Sequence, residues 1–254
     1  MCGRFVITSP PAALRLMFGY DEQPNFPPRH NIAPTQPVPV VIVANGARHF
    51  RLMRWGLIPR WVKDPRKITL MINARSERVA EKPAFKNAIR RRRCLIPADG
   101  YYEWQVTGGR KRPFFIYRTD RRPFALAGLA ESWIGPNGEE LDTVAIVTTA
   151  ASLDLAVLHH RVPVAIRDDD FVRWLDCSSD RADDVIGLLA PPEIGEFTWY
   201  EVSTRVNHAD NDDPQLILPI TDERCAVEDA SKPAKRSPAR KAPAAIDDGQ
   251  GSLF

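Results

Sequence analysis

The chain of 254 residues has no apolar run approaching the ~18 residues that a membrane-spanning helix needs. Its start lacks a charged segment followed by an apolar one, so the reading is a cytoplasmic protein with no membrane partner. Cysteine is sparse. Cys2, Cys94, Cys177 and Cys225 form no C-x-x-C pair, which argues against a disulfide scaffold and, with five scattered histidines, against a zinc-finger spacing. No metal or other cofactor is expected. Charge of one sign is lacking too: 35 basic and 32 acidic residues leave +3, so any nucleic-acid surface must be local. Proline is what abounds, at 23 residues or roughly 9% against a usual ~5%. It favours turns and strand edges, so many loops and little long helix are expected.

Residues 2–8 read as a short strand, and Ser9-Pro10-Pro11 opens a helix to Phe18 with Ser9 as its N-cap. The prolines at 24, 27, 28, 34 and 37 predict an irregular loop. Val38 to Val43 and Arg48 to Trp55 form a hairpin, because Asn45-Gly46 supplies the positive φ of a type I′ turn. Further strands are predicted over 94–106, 113–118, 125–133, 143–149, 162–166 and 197–202. Short helices are predicted over 83–91, 152–158, 169–175 and 183–189. These elements do not alternate as βαβ units. The expected fold is α+β, a single domain over 1–226 around a mostly antiparallel, barrel-like sheet with short flanking helices. Residues 227–254, rich in Ala, Pro and Lys, cannot bury enough surface to offset their ordering entropy and are predicted to be a disordered tail.

Four clusters could carry chemistry. In Met1-Cys2-Gly3-Arg4, removal of Met1 would leave Cys2 with a thiol and an α-amine on adjacent carbons. The amine's reference pKa is ~8, and Arg4 is positioned in sequence to lower the thiol. Such a 1,2-aminothiol forms a Schiff base with an aldehyde and then closes a thiazolidine ring; the alternative is an ordinary buried strand cysteine. Asn73-Ala74-Arg75-Ser76-Glu77 is either a solvated helix start or an amide and guanidinium aimed at a ligand. In Tyr101-Tyr102-Glu103-Trp104, strand alternation puts Tyr101 and Glu103 on one face, and partial burial would raise the Glu103 carboxyl toward acid–base use. His159-His160-Arg161 offers a base, a ligand, or one packed ring beside one exposed ring. Arg54, Trp55, Arg60, Trp61 and Lys63 mix cations with indoles, a composition suited to phosphate contact with base stacking, and Arg90 to Arg93 form a basic run. The alternative for both is a solvated charged face.

Taken in order, MCGRF, HNIAPTQ (30–36), RWGLIPRW (54–61), INARSE (72–77), RRCLIPADGYYEW (92–104), LAGLAE (126–131) and HHRVP (159–163) resemble the SOS-response-associated peptidase family, which shields abasic sites in DNA. The resemblance spans roughly residues 1–220. It implies a covalent thiazolidine between Cys2 and the ring-opened abasic sugar in single-stranded DNA. It also implies catalytic roles for Asn73, Glu103 and His159, and DNA contacts from Arg4, Arg75, Arg161, Trp55 and Trp61. Asn73 would hold the N-terminal amine or the sugar, Glu103 would relay a proton, and His159 would protonate the sugar oxygen. Val162 replaces the family's usual Met in H-x-R-M-P, a mild apolar change.

Two other functions compete: a cysteine-type (auto)peptidase acting through Cys2, and a non-covalent single-stranded DNA-binding module. The chain ends on Gln250-Gly251-Ser252-Leu253-Phe254, two large apolar residues after a polar tail. The pattern Q-x-x-L-F resembles the short motif by which bacterial repair proteins dock on the DNA polymerase sliding clamp, with Gln250, Leu253 and Phe254 making the contact. No feature indicates an oligomer, so a monomer is expected.

Overall fold

A computed structural model describes residues 2–221. The fold is α+β, as the pattern predicted, and its folded unit runs to Ile220. The expected boundary at 226/227 and the QGSLF terminus, with Gln250, Leu253 and Phe254, lie outside the described residues.

The barrel forms first in logic. Strands β3 (Pro37–Ala44) and β4 (Ala47–Trp55) make the expected hairpin, with Asn45 at φ 51° and Gly46 at φ 78°. β3 also pairs with β6 (Arg93–Ala98), and β6 with β9 (Phe124–Ile134). β9 turns back into β10 (Glu140–Ala150), and β10 closes on β4 in parallel, Thr143 facing Arg54 and Val144 facing Trp55. The result is a closed ring of five strands. Closure removes free edges, and the buried run of β6 reflects cover on both faces. One cover is α3 (Phe171–Leu175), whose Trp174 donates its indole N–H to the Cys94 carbonyl at 2.8 Å.

Three short strands extend the ring. β5 (Asn73–Arg75) runs parallel to β10, β11 (Arg161–Pro163) antiparallel to it, and β12 (Ala165–Ile166) lies against β9. A second sheet has the order β13-β8-β7-β1-β2. It is built on the hairpin of β7 (Gly100–Thr107) and β8 (Arg110–Arg118), flanked by β13 (Phe197–Glu201), β1 (Phe5–Ile7) and β2 (Arg29–Ile32). Gly108 and Gly109, both at positive φ, make its turn.

Several local expectations change. The strand predicted over 94–106 divides at Asp99 into β6 and β7, which serve different sheets. The reason is the Asp99 carboxylate, which accepts the backbone N–H groups of Thr8 and Ser9 at 2.5 and 2.8 Å and the Ser9 hydroxyl at 2.5 Å. Ser9 is therefore not the N-cap of α1 (Pro11–Phe18); Pro10 holds that position without a side-chain cap. Residues 152–158 form successive turns instead of a helix. The helix predicted over 83–91 contracts to α2 (Ala88–Arg91), and that over 183–189 to α4 (Asp183–Ile186). Within the proline-rich loop, β2 is ordered by Asn31, whose amide donates to the carbonyls of Val206, His208 and Asn211 at 3.3, 3.0 and 2.8 Å.

Candidate active site

The seam between the two sheets collects the chemistry. β1 lies beside β7 with Phe5 facing Tyr101, and Tyr102 donates its N–H to the Arg4 carbonyl at 3.0 Å. That register carries Cys2 toward Tyr101 and Glu103, which share one face of β7. Cys2 is fully buried, its Sγ 3.9 Å from the Arg4 carbonyl. Burial pushes its thiol pKa up, and the Glu103 carboxylate pushes it further. The Arg4 guanidinium does not lower it, contrary to expectation; of Arg4, only the backbone does. Its guanidinium is turned to the Val206 carbonyl at 3.0 Å, with Nε buried and unpartnered.

Asn73 reaches Cys2 from the barrel. β5 pairs in parallel with β10, Asn73 facing Ile146, and its Nδ2 donates to the Cys2 carbonyl at 2.8 Å. The amide nitrogen therefore grips the backbone of Cys2, where the resemblance implied a grip on the amine or the sugar. Its Oδ1 is buried with no partner in the protein. Glu103 is 3% exposed, and burial raises its carboxyl pKa as alternation along β7 predicted.

His159 ends the turns at 152–158. Its Nδ1 lies 3.0 Å from the Arg161 N–H and 3.1 Å from the Arg161 carbonyl. The ring stacks on exposed His160 with centroids 4.3 Å apart. Burial lowers the His159 pKa, and the His159 charge is the first cause that lowers His160. Gln105, two residues beyond Glu103 on the same face of β7, donates to the Val157 carbonyl at 2.8 Å and ties this segment to the strand.

The candidate DNA contacts separate sharply. Arg75 and Trp61 are exposed, Trp61 at 63%. Trp55 is not. Its indole is buried, donates to the Ile72 carbonyl at 3.0 Å and packs edge-on against Phe5, so it offers no stacking face. Arg161 is also internal: Glu77 takes its guanidinium in a bidentate pair at 2.8 and 3.0 Å, and the Thr148 carbonyl lies at 2.5 Å. The expected direct phosphate contact from Arg161 is already occupied by protein oxygens. The run at 90–93 is largely structural as well: Arg91 pairs with Asp180, Arg92 with Glu131, and buried Arg93 donates to the carbonyls of Trp174, Ile89 and Asp176. Among the described residues, no group of three or more His, Cys, Asp or Glu side chains is placed to hold a metal ion, and no helix is long and apolar enough to cross a membrane.

Nothing local in the sequence pointed to the pairing of Gln105 with Val157, or of Glu77, itself within INARSE, with Arg161. Their partners lie 52 and 84 residues away, beyond any local spacing.

Fold and site together define a class: an α+β barrel with a candidate thiol nucleophile at the start of its chain, gripped through its own carbonyl. Comparison with known proteins gives the family. The chain belongs to the SOS response associated peptidase (SRAP) family, whose model matches residues 1–209. Abasic site processing protein YoqW of Bacillus subtilis is 36% identical over 221 residues, covering 85% of this chain and 99% of its own. Abasic site processing protein HMCES of Gallus gallus is 31% identical over 264 residues, covering 87% and 78%. A crystal structure of a Bacteroides thetaiotaomicron protein superposes with a TM-score of 0.76 at 25% identity, covering 87% of this chain and 100% of that one.

Proposed function

We propose that the protein captures abasic sites in single-stranded DNA as a covalent thiazolidine on Cys2. The observation that carries this reading is the 2.8 Å hydrogen bond from Asn73 to the Cys2 carbonyl, which fixes the residue beside Glu103. The names of the relatives support the abasic site as substrate.

Removal of Met1 exposes the α-amine of Cys2. The abasic sugar opens when its C1′–O4′ bond breaks: O4′ takes a proton from the His159 imidazolium, the C1′ hydroxyl proton leaves to solvent, and C1′ becomes an aldehyde. The neutral amine adds to C1′. Glu103, whose carboxyl burial shifts toward the protonated form, gives its proton to the departing hydroxyl, and the nitrogen returns a proton to the carboxylate. One water is released and an imine remains. The Cys2 S–H then adds across C=N, sulfur bonding C1′ and its proton passing to nitrogen. This closure is intramolecular, where effective molarities reach ~10⁵–10⁸ M. A thiol held neutral until the imine forms is suited to that order of events.

Arg75 would meet a backbone phosphate and Trp61 a base face, so affinity should be salt-sensitive and indifferent to sequence. Arg4 contributes from its half-buried position. Recruitment through Gln250, Leu253 and Phe254 to a sliding clamp belongs to the same proposal, and deletion of residues 250–254 should abolish clamp binding while leaving crosslinking intact. The test of the function is a denaturing gel. Wild-type protein should retain abasic single-stranded DNA in a shifted band, and Cys2→Ala should not. Retention by Cys2→Ala at the wild-type level overturns the proposal. For the peptidase alternative, amino-terminal sequencing of Glu103→Gln and His159→Ala separates self-cleavage, which both would block, from ordinary Met1 removal.

A further inference from the structure

We propose that Glu77 is a positioning residue for the proton-transfer group His159, acting through the Arg161 guanidinium. This rests on the reading of His159 given above and deepens it. Glu77 stands in the turn Ser76–Arg78 that follows β5, two residues after Arg75, and its side chain is half exposed. Both carboxylate oxygens meet Arg161, at 2.8 and 3.0 Å, while the Thr148 carbonyl on β10 meets the same guanidinium from the other side. A planar fork gripped at two edges has little freedom. The backbone of that same Arg161 brackets His159 Nδ1, with its N–H at 3.0 Å and its carbonyl at 3.1 Å.

That bracket serves both charge states of the ring. Neutral Nδ1 accepts from the Arg161 N–H; protonated Nδ1 donates to the Arg161 carbonyl. Proton exchange with the sugar therefore falls to Nε2, and the orientation of Nε2 is set by how firmly Arg161 is held. The guanidinium charge disfavours the imidazolium even with Glu77 in place, after burial and the amino terminus, and the Glu77 carboxylate opposes that charge. The other charged or titratable groups facing the imidazole pair are the amino terminus of the chain, which also disfavours the imidazolium, Arg75 from β5, Glu103 from β7, and His160 on the same segment.

Removing the negative charge from Glu77 should therefore do two things. Loosening Arg161 should slow crosslinking about tenfold, part of the ~10²–10⁴ that a positioned acid contributes. The unbalanced guanidinium should move the His159 titration to lower pH. Single-strand affinity should not fall, because Glu77 repels phosphate.

The experiment is ring-resolved NMR titration of His159 in DNA-free full-length protein, for wild type, Glu77→Gln and Glu77→Asp, beside crosslinking rates and melting temperatures of the same samples. The expected result is a lower His159 midpoint and slower crosslinking for Glu77→Gln, with Glu77→Asp restoring both toward wild type. A His159 midpoint and crosslinking rate unchanged in Glu77→Gln overturn the proposal. So does a lower melting temperature with no movement of the midpoint, the mark of a merely structural ion pair. The titration needs no DNA, so it stands if the abasic-site function fails, and absence of any wild-type crosslink would strike that function alone.

Discussion

Along β7, Tyr101, Glu103 and Gln105 succeed one another on a single face within five residues, and β1 delivers Cys2 to them by simple antiparallel register. On the barrel side, Asn73 and Arg161 come from segments far apart in the chain, and β10 brings them together by pairing with β5 on one edge and β11 on the other. In the proposed mechanism the small sheet supplies the nucleophile and its acid by local geometry, and the barrel supplies their fixation by long-range topology. Damage on the sheet side should accordingly remove chemistry, whereas damage on the barrel side should misplace groups that remain present.

The largest effect is expected from Glu103→Gln. It removes a general acid and should slow crosslinking ~10²–10⁴-fold with single-strand affinity retained, measured by quenched-flow gels and fluorescence anisotropy. Equal losses in both assays would make Glu103 structural. Next is Asn73→Ala, which frees the Cys2 carbonyl. A displacement of about 1 Å can cost ~10²-fold, and affinity for intact single strands should again hold. If Asn73→Ala equals Glu103→Gln in every pH range, fixation and chemistry are not separable as argued.

The pH profile sharpens the contrast. Glu103 is raised by burial and His159 lowered by burial, and in the proposed mechanism both act in their protonated forms. Crosslinking should fall as pH rises through either group, and on the acid side it should fall as the α-amine of Cys2 becomes protonated. Glu103→Gln should delete one basic limb and leave the other. A profile unchanged in shape contradicts the assignment.

Smaller effects distinguish the two arginines. Arg75→Ala should weaken binding to every single-stranded sequence and reduce the salt slope by about one phosphate contact. Arg161→Ala should leave the salt slope alone, lower the melting temperature and slow crosslinking. Gln105→Ala, which releases the Val157 carbonyl, should give the mildest defect, a loss of a few-fold in rate.

The same division explains what the sequence could reveal. Glycine and asparagine turns, the alternation of 101–105 and the absence of βαβ order act within a few residues, so the hairpin at 45–46, the face shared by Tyr101 and Glu103, and the α+β class were legible. Other features depend on partners distant in sequence. Asp99 breaks the long strand by bonding residues 8 and 9, Trp55 is drawn into the barrel beside Phe5, and Arg161 is claimed by Glu77. None of these pairings leaves a periodic trace. Tryptophan and arginine are equally suited by composition to DNA and to a core or an ion pair, and only topology decides between them.

The central claim is that both heteroatoms of Cys2 end on the abasic sugar. Its most direct test is mass spectrometric mapping of the adduct with abasic single-stranded DNA after treatment with a thiol-alkylating reagent under denaturing conditions. The expected product is an amino-terminal peptide beginning at Cys2, joined to the sugar with loss of one water and carrying no alkyl group on sulfur. A joined peptide whose sulfur is alkylated, or one that still begins at Met1, would contradict it.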